Sequence, residues 1–377
     1  MTLLLRLLFL SLALLCATAS AVSTGATAPA SDAQALTTEK IAPYVPRFGR
    51  MRPLVAVIGQ NSGTVLSDFV LPYGVLTTAG VAEVVSVSTQ AGLLKLGPVQ
   101  VRADQTAAEF DLRFPEGADY VFVPAVTKHD DPLLTAWVRS QAAKGATMIS
   151  ICNGSLVLAH AGLTRGHRAT GHWSTFEARQ KNYPDTQWVR NTRYVADGKI
   201  VSSAGITAAM PTAVALVEAI AGQARADEVA KRIGLSYWGP KHDSDAFRIT
   251  VTDYLIGIKN LYLNATQTVG IAVADGIDEM ALALTAEAYS DTMRNEVHIV
   301  AKTPAVRTRG GLLLVPDTLE SQATRFDIKL SAVDSIPAGQ VPDQVLKDIA
   351  GRYGPRTARF VVLDWEYPTT DRYRESP

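Results

Sequence analysis

Cysteine is scarce in this chain, which contains only Cys16 and Cys152 among 377 residues. Cys16 follows a short apolar run with one early arginine and precedes small residues up to Ala21. This pattern predicts a signal peptide over residues 1–21 and an exported protein, either periplasmic or secreted. A leader retained as an anchor is the alternative, although two bulky leucines before Cys16 disfavour a lipid-anchor site. Cleavage would leave one cysteine, which excludes an intrachain disulfide in the mature protein.

The chain also lacks an excess of charge of either sign, because 36 Lys and Arg residues balance 36 Asp and Glu residues. Without a basic field, we expect no nucleic-acid partner. The N-terminal apolar run is too short for a transmembrane helix, so we expect no stable membrane span. No Gly-rich phosphate loop follows the first predicted strand. The run His129-Asp130-Asp131 is typical of a solvated turn before a Pro-started helix, and we therefore predict neither a cofactor nor a metal.

Residues 22–50 are rich in Ala, Ser, Thr and Pro, and we predict that they form a flexible lead. After this lead, apolar strands alternate with helices. This alternation predicts an α/β fold with a parallel sheet covered by helices on both faces. The predicted strands are 54–58, 81–88, 120–124, 148–151 and 199–203, and the predicted helices are 67–79, 132–144 and 206–221.

A second unit is predicted over residues 268–377, after a connector at 246–267. Its opening strand from Val269 resembles the strand at 54–58, and 296–301 resembles the second strand of the first unit. Further strands are predicted at 312–315 and at 359–364, the latter as an echo of 120–124. We interpret this unit as a partial, degenerate second copy of the same fold, and it contains no cysteine.

Cys152 lies between a short apolar strand and an apolar helix, within Ser150-Ile151-Cys152-Asn153-Gly154. Small residues on both sides of a nucleophile are typical of a sharp strand-to-helix turn. Such a turn puts the sulfur at a helix N-terminus, where free N–H groups and the helix dipole favour the thiolate. The alternative is a buried structural cysteine, but a buried strand position would not need the Asn-Gly pair.

A cysteine nucleophile needs a group that handles its proton and donors that hold negative charge on the substrate. The backbone N–H of Asn153 is a candidate donor. The candidates for the proton are Asp68, near the start of the helix after the first strand, and His172, twenty residues beyond Cys152. Taken alone, Asp68 also fits a solvated N-cap, and His172 also fits a structural histidine.

Residues 150–173, SICNGSLVLAHAGLTRGHRATGHW, together with SAGITA at 203–208, resemble the ThiJ/PfpI superfamily. The similarity covers residues 53–245 and is strongest to the branch of isonitrile hydratases and sensory domains of AraC-type regulators. It implies the flavodoxin-like three-layer fold of class I glutamine amidotransferases. It also implies Cys152 as the nucleophile, Asp68 as the acidic residue touching its sulfur, and His172 near the pocket. Relatives often dimerise, so the resemblance also allows a homodimer.

Two segments depart from the family pattern, the pair after the strand at 120–124 and the residue after Cys152. Ala125 and Val126 stand where relatives usually place two glycines that help form the oxyanion site, and Asn153 stands where the hydratase-like branch favours threonine. We therefore keep two functions open. The first is an exported cysteine-dependent hydratase or hydrolase acting on a small carbon–nitrogen or carbonyl substrate, with N–H groups near Asn153 and Val126 holding the anion. The alternative is a non-catalytic ligand-binding or redox-sensing module, which Ala125-Val126 and the partial second copy favour.

Overall fold

A computed structural model describes residues 39–323, 325–331 and 333–368 of the chain. The predicted signal peptide and the first part of the predicted lead, residues 22–38, lie outside the described residues. Among the residues described, no helix is long and apolar enough to cross a membrane.

The first unit is built around a seven-stranded sheet with the order β10-β11-β7-β6-β1-β2-β5. All neighbouring strands in it are parallel, except for the antiparallel hairpin of β10 and β11. The central strands β1 and β6 are apolar and buried along their whole length, as expected for a parallel sheet covered on both faces. The strands are β1 (Leu54–Gly59), β2 (Glu83–Ser88), β3 (Leu94–Leu96), β4 (Val99–Arg102), β5 (Gln105–Thr106), β6 (Tyr120–Val123), β7 (Thr147–Ser150), β8 (Arg168–Ala169), β9 (Gln187–Trp188), β10 (Tyr194–Asp197) and β11 (Ile200–Ser203).

Helices cover both faces of this sheet, and alternate residues of β1 belong to two separate hydrophobic clusters. Val55 and Val57 join one cluster, whereas Leu54, Ala56 and Ile58 join the other. The α/β three-layer prediction is therefore confirmed. The helices are α1 (Leu66–Ala79), α2 (Ala107–Arg113), α3 (Pro132–Ala143), α4 (Gly154–His160), α5 (Phe176–Asn182), α6 (Ala209–Ala221), α7 (Gln223–Ile233), α8 (Val251–Ile258), α9 (Glu279–Asp291), α10 (Val341–Tyr353) and α11 (Pro355–Trp365).

The second unit has its own four-stranded parallel sheet with the order β16-β13-β12-β17. Its β12–α9–β13 sequence has the same form as β1–α1–β2. The two units are joined by antiparallel pairing of β15 with β4 and by packing of α9 on α1. At the helix contact, a Cβ added to Gly74 would lie 2.4 Å from Met280 Cγ. The strands are β12 (Gln267–Ala272), β13 (Asn295–Ala301), β14 (Val306–Arg307), β15 (Leu313–Val315), β16 (Thr318–Leu319) and β17 (Ile328–Leu330).

One predicted strand of the second unit is wrong: residues 359–364 belong to helix α11. The run of apolar residues suggested a strand, but Ala358, Val361, Val362 and Trp365 follow helical spacing and are all buried. A proline near the start of the helix suits its first turn. The interpretation of this unit as a degenerate second copy therefore loses one of its supports and stays a prediction.

Candidate active site

Cys152 occupies a sharp turn between β7 and α4, with a φ of 56°. This left-handed conformation is uncommon for any residue other than glycine and is typical of functional turns. The Cys152 N–H donates to the Ala204 carbonyl at 3.0 Å, which ties the turn to the end of β11. A Cβ at Gly154 would lie 2.0 Å from the Val123 carbonyl oxygen, so only glycine fits the first position of α4. The structure thus contains the elbow that the sequence predicts.

The Cys152 thiol is nearly enclosed, since the residue is only 6% exposed. Burial raises its pKa well above the usual range, and the negative charge of Asp68 raises the pKa further. The Asn153 N–H bonds to the sulfur and lowers the pKa, but this effect is smaller than the two that raise it. The thiolate preference expected from the helix N-terminus is therefore outweighed by burial in this conformation.

Asp68 is the third residue of α1 and is fully buried. Its Oδ2 accepts the Ala125 N–H at 3.0 Å, while its Oδ1 is buried without a hydrogen-bond partner among the described residues. Burial raises the pKa of Asp68 well above the usual range, and the charge of Glu287 adds to this effect. A raised pKa favours the protonated form of the carboxyl group, which can donate a hydrogen bond or a proton. The N-cap of α1 is Val65, so the solvated N-cap alternative for Asp68 is wrong.

The backbone N–H groups of the predicted anion-site and pocket residues Asn153, Val126 and Ala125 differ in whether they are free to bind an anion. The Ala125 N–H donates to Asp68 Oδ2, so it is not free to bind an anion. Two further hydrogen bonds connect this loop to the segment before α1. The Val65 N–H donates to the Ala125 carbonyl, and the Thr127 N–H donates to the Gly63 carbonyl. The Val126 N–H takes part in no hydrogen bond within the described ranges, and the Asn153 N–H faces the sulfur. These two N–H groups are the available donors.

His172 is buried, but its ring does not bond to the sulfur. Its Nδ1 lies 2.7 Å from the Ser174 hydroxyl and its Nε2 lies 3.0 Å from the Asp364 carbonyl oxygen. Its own carbonyl accepts from Arg179 at 2.7 Å. His172 therefore lies beside the elbow as a residue that binds the C-terminal end of the chain.

Nothing in the sequence signals Glu366, which is buried at the end of α11, 193 residues from Trp173. One carboxylate oxygen accepts the Trp173 N–H at 2.5 Å and the other accepts His242 Nε2 at 2.7 Å. Burial acts to raise the pKa of Glu366, but the His242 hydrogen bond and the nearby positive charges lower it overall. The negative charge of Glu366 also contributes to the raised pKa of Cys152.

Glu287, on α9 of the second unit, is a second residue that sequence reasoning missed. Its two oxygens accept the N–H groups of Leu66 (3.1 Å) and Ser67 (2.9 Å), and so cap the helix that carries Asp68. Burial raises its pKa to about 7. Glu287 also lines a cavity of about 50 Å³ between the two units, next to the predicted anion site. The other lining residues are Ser62, Gly63, Thr64, Val65, Lys95, Gly97, Pro98, Val126, Thr127, Ser290 and Asp291.

The fold and the elbow define an α/β domain with one cysteine presented between a strand and a helix. Residues 55–219 match the family described as DJ-1/PfpI, so this segment of the chain is similar to that family. This result confirms the resemblance inferred from residues 150–173.

Three relatives illustrate the range of the family. The chain is 34% identical over 118 residues to the HTH-type transcriptional regulator CdhR of Pseudomonas aeruginosa, covering 31% of this chain and 35% of the regulator. It is 36% identical over 94 residues to an isonitrile hydratase of Pseudomonas putida, covering 25% of this chain and 40% of the hydratase. The chain thus spans well under half the length of both. The crystal structure of Drosophila melanogaster DJ-1beta matches with 25% identity and a TM-score of 0.45, covering 49% of this chain and 100% of that one.

Proposed function

We propose that this protein is a cysteine-dependent hydratase or hydrolase that acts on a small carbon–nitrogen or carbonyl substrate at Cys152. The observation that carries the proposal is the pairing of the Cys152 elbow with a buried Asp68 that has one oxygen without a partner. Buried polar atoms normally find partners, so an orphaned carboxyl oxygen beside a nucleophile suggests that a substrate or water completes the set. The similarity to an isonitrile hydratase supports the same class of chemistry.

The proposed reaction uses the Cys152 sulfur, the Asp68 carboxyl group and one proton that moves between them. On an amide, the thiolate attacks the carbonyl carbon to form an S–C bond, and the Asp68 acid gives its proton to the nitrogen that leaves as the C–N bond breaks. On an isonitrile no group leaves, and the proton goes to the same carbon that the thiolate attacks, which gives a thioimidate. The N–H groups of Asn153 and Val126 stabilise negative charge that develops on the substrate. Asp68, now a carboxylate, then takes a proton from water as the water adds to the same carbon. Breaking of the S–C bond restores the thiolate and the Asp68 acid.

A comparison of wild type with Cys152→Ser tests this proposal. Both proteins are assayed on a panel of an isonitrile, an amide and a glyoxal, with thermal melting to verify that both are folded. We expect the variant to lose a factor of about 10² or more in kcat/KM on the accepted substrate, because the hydroxyl is a far weaker nucleophile at this site. Equal rates across the panel for two folded proteins would remove the proposal.

A second candidate is a ligand-binding or redox-sensing module, and the departure from the family pattern at Ala125 and Val126 favours it. Sensing requires binding or oxidation at the cysteine without turnover. Intact-mass analysis after mild peroxide treatment checks the redox form, with Cys152→Ser as the control. A selective mass increase on wild type alone is expected for a sensor, and the lack of one counts against it.

We further propose that the protein is exported, and this rests on the leader predicted at residues 1–21. Cell fractionation and mass analysis of the mature N-terminus test it, with cleavage after Ala21 as the expected result. A full-length chain retained in the cytoplasm contradicts export. The homodimer also stays a prediction, and light scattering on the purified chain decides it.

A further inference from the structure

The C-terminal end of the described chain folds back onto the elbow. Helix α11 ends at Trp365, and Glu366 follows in the left-handed conformation with a φ of 50°. Both residues are fully buried, although they lie at the last turn of the described chain. Such a strained turn persists only where surrounding contacts hold it in place.

Three backbone carbonyls of this turn accept hydrogen bonds from the elbow domain. The Leu363 carbonyl accepts Trp173 Nε1 at 2.8 Å, and the Asp364 carbonyl lies 3.0 Å from His172 Nε2. The Glu366 carbonyl accepts the Thr207 hydroxyl at 2.8 Å. His172, which the family resemblance places near the pocket, thus binds the protein's own C-terminal turn.

The Glu366 side chain extends from this turn toward Gly205, next to the residue that binds the Cys152 N–H. A Cβ added to Gly205 would lie 2.9 Å from Glu366 Cγ, and Gly205 follows Ala204, whose carbonyl accepts the Cys152 N–H. The carboxylate accepts the Trp173 N–H and bonds to His242. The guanidinium of Arg179, held on the His172 carbonyl, adds a positive charge that acts on both Glu366 and Cys152.

The Trp173 N–H and His242 bond to this one carboxylate, and the Arg179 charge acts on it without a direct hydrogen bond. A backbone N–H, an imidazole and a buried guanidinium are the groups that proteins use to recognise a carboxylate ligand. The group that fills this environment comes from a distant part of the same chain and is attached through a single turn.

We propose that residues 363–367 form an intramolecular plug of the Cys152 site, with the Glu366 carboxylate in the position that a carboxylate-bearing ligand takes when the plug is released. The inference rests on the proposed function in that Cys152 marks a ligand site. It adds the ligand class, a small carboxylate, and a resting state in which that site is closed.

The test measures alkylation of Cys152 by neutral iodoacetamide in the full mature chain, as a function of pH. The variant is Glu366→Gly, because glycine adopts a φ of 50° without strain and preserves the turn. The plateau rate at high pH reports access to the sulfur, whereas the midpoint reports its pKa. We expect the plateau rate to rise at least about tenfold, since an open site removes the steric barrier and not only a charge. The exposed Glu320→Gly is the matched control, with an unchanged plateau expected.

Added ligand supplies the second readout. Sodium acetate should restore protection in Glu366→Gly, while acetamide and sodium chloride at equal concentration should not, because only acetate replaces the missing carboxylate. A variant in which only the midpoint moves overturns the plug. Equal effects of acetate and acetamide overturn the ligand class.

If Glu366→Gly does not fold, Glu366→Asn gives the same two readouts, because asparagine tolerates a positive φ and its shorter side chain leaves the carboxylate position empty. Alkylation requires no turnover, so the plug and the proposed enzyme activity fail or succeed separately. An open, acetate-sensitive variant without activity on any substrate supports the plug and leaves a ligand-binding site.

Discussion

Each unit of this molecule has an aspartate near the start of the helix that follows its first strand, and the two aspartates have opposite surroundings. In the second unit, Asp278 is the N-cap of α9. One of its oxygens accepts the N–H groups of Met280 and Ala281, and the other binds Arg309 at 2.9 Å. In the first unit, Asp68 is buried with one oxygen on the Ala125 N–H and the other without a partner.

The comparison separates an acid that supports the fold from an acid that is free for chemistry. The bonds of Asp278 stabilise a helix end and leave neither of its oxygens without a partner. Asp68 costs stability because a carboxyl is buried with an unmet hydrogen bond, and such a cost is typical of functional sites. The unit that has the elbow is therefore also the unit that retains a locally unfavourable acid.

Exchanging each aspartate for asparagine gives the largest expected effect. Asp68→Asn should lower kcat/KM by roughly 10²–10⁴-fold, because the amide cannot pass a proton to the substrate. The thiol pKa should also fall toward its usual range as the neighbouring charge is removed, so alkylation of Cys152 at pH 8 should become faster. Turnover assays and alkylation kinetics measure the two effects, which have opposite signs.

Asp278→Asn is the matched control for that exchange. It should keep its activity and lose about 1 kcal/mol in free energy of unfolding, measured by urea denaturation, because asparagine still caps but no longer pairs with Arg309. If both variants lose activity equally, or both lose only stability, the distinction between the two acids is wrong.

The parts of the site that lie close together in sequence could be predicted. The alternation of strands and helices indicated the α/β fold, and the small residues around Cys152 indicated its turn, because both depend on local patterns. Asp68 was identified through the family resemblance and not from its local pattern, which fitted an N-cap equally well. Its burial follows from α9 packing over α1, a contact between distant segments.

The second unit's contribution could not be predicted. Glu287 and Glu366 act on the elbow domain across more than 190 residues of sequence, and neither is part of a recognisable motif. The wrong strand prediction at residues 359–364 also hid the role of Glu366, because a strand there would not have placed Glu366 in a turn at the end of a helix. Isolated buried carboxylates are recognisable only once the elements that bury them are known.

Two glycines extend the comparison to the backbone of each unit. Gly154→Ala in the elbow should cost about 3 kcal/mol in free energy of unfolding, since the new Cβ would meet the Val123 carbonyl oxygen at 2.0 Å. Gly351→Ala, in helix α10 with nothing within 4 Å of the added Cβ, should instead stabilise the protein by about 0.5–1 kcal/mol. Denaturant unfolding measures both. A stable, active Gly154→Ala protein would mean that the elbow backbone is not constrained as described.

The smallest expected effect concerns the acid that joins the two units. The pKa of Glu287 is raised by burial to about 7, so the native state binds its proton more tightly than the unfolded state does. Stability from this group is then fully present below about pH 4.5 and is lost as the pH rises through 7.

Relative to Glu287→Gln, wild type should lose roughly 2 kcal/mol in free energy of unfolding between pH 5 and pH 8. The exposed Glu296→Gln should show no such slope. The difference in free energy of unfolding between wild type and Glu287→Gln could instead stay constant with pH. That result would mean that Glu287 is already ionised at pH 5. Burial of Glu287 between the two units would then have no electrostatic cost for α1, the helix that carries Asp68.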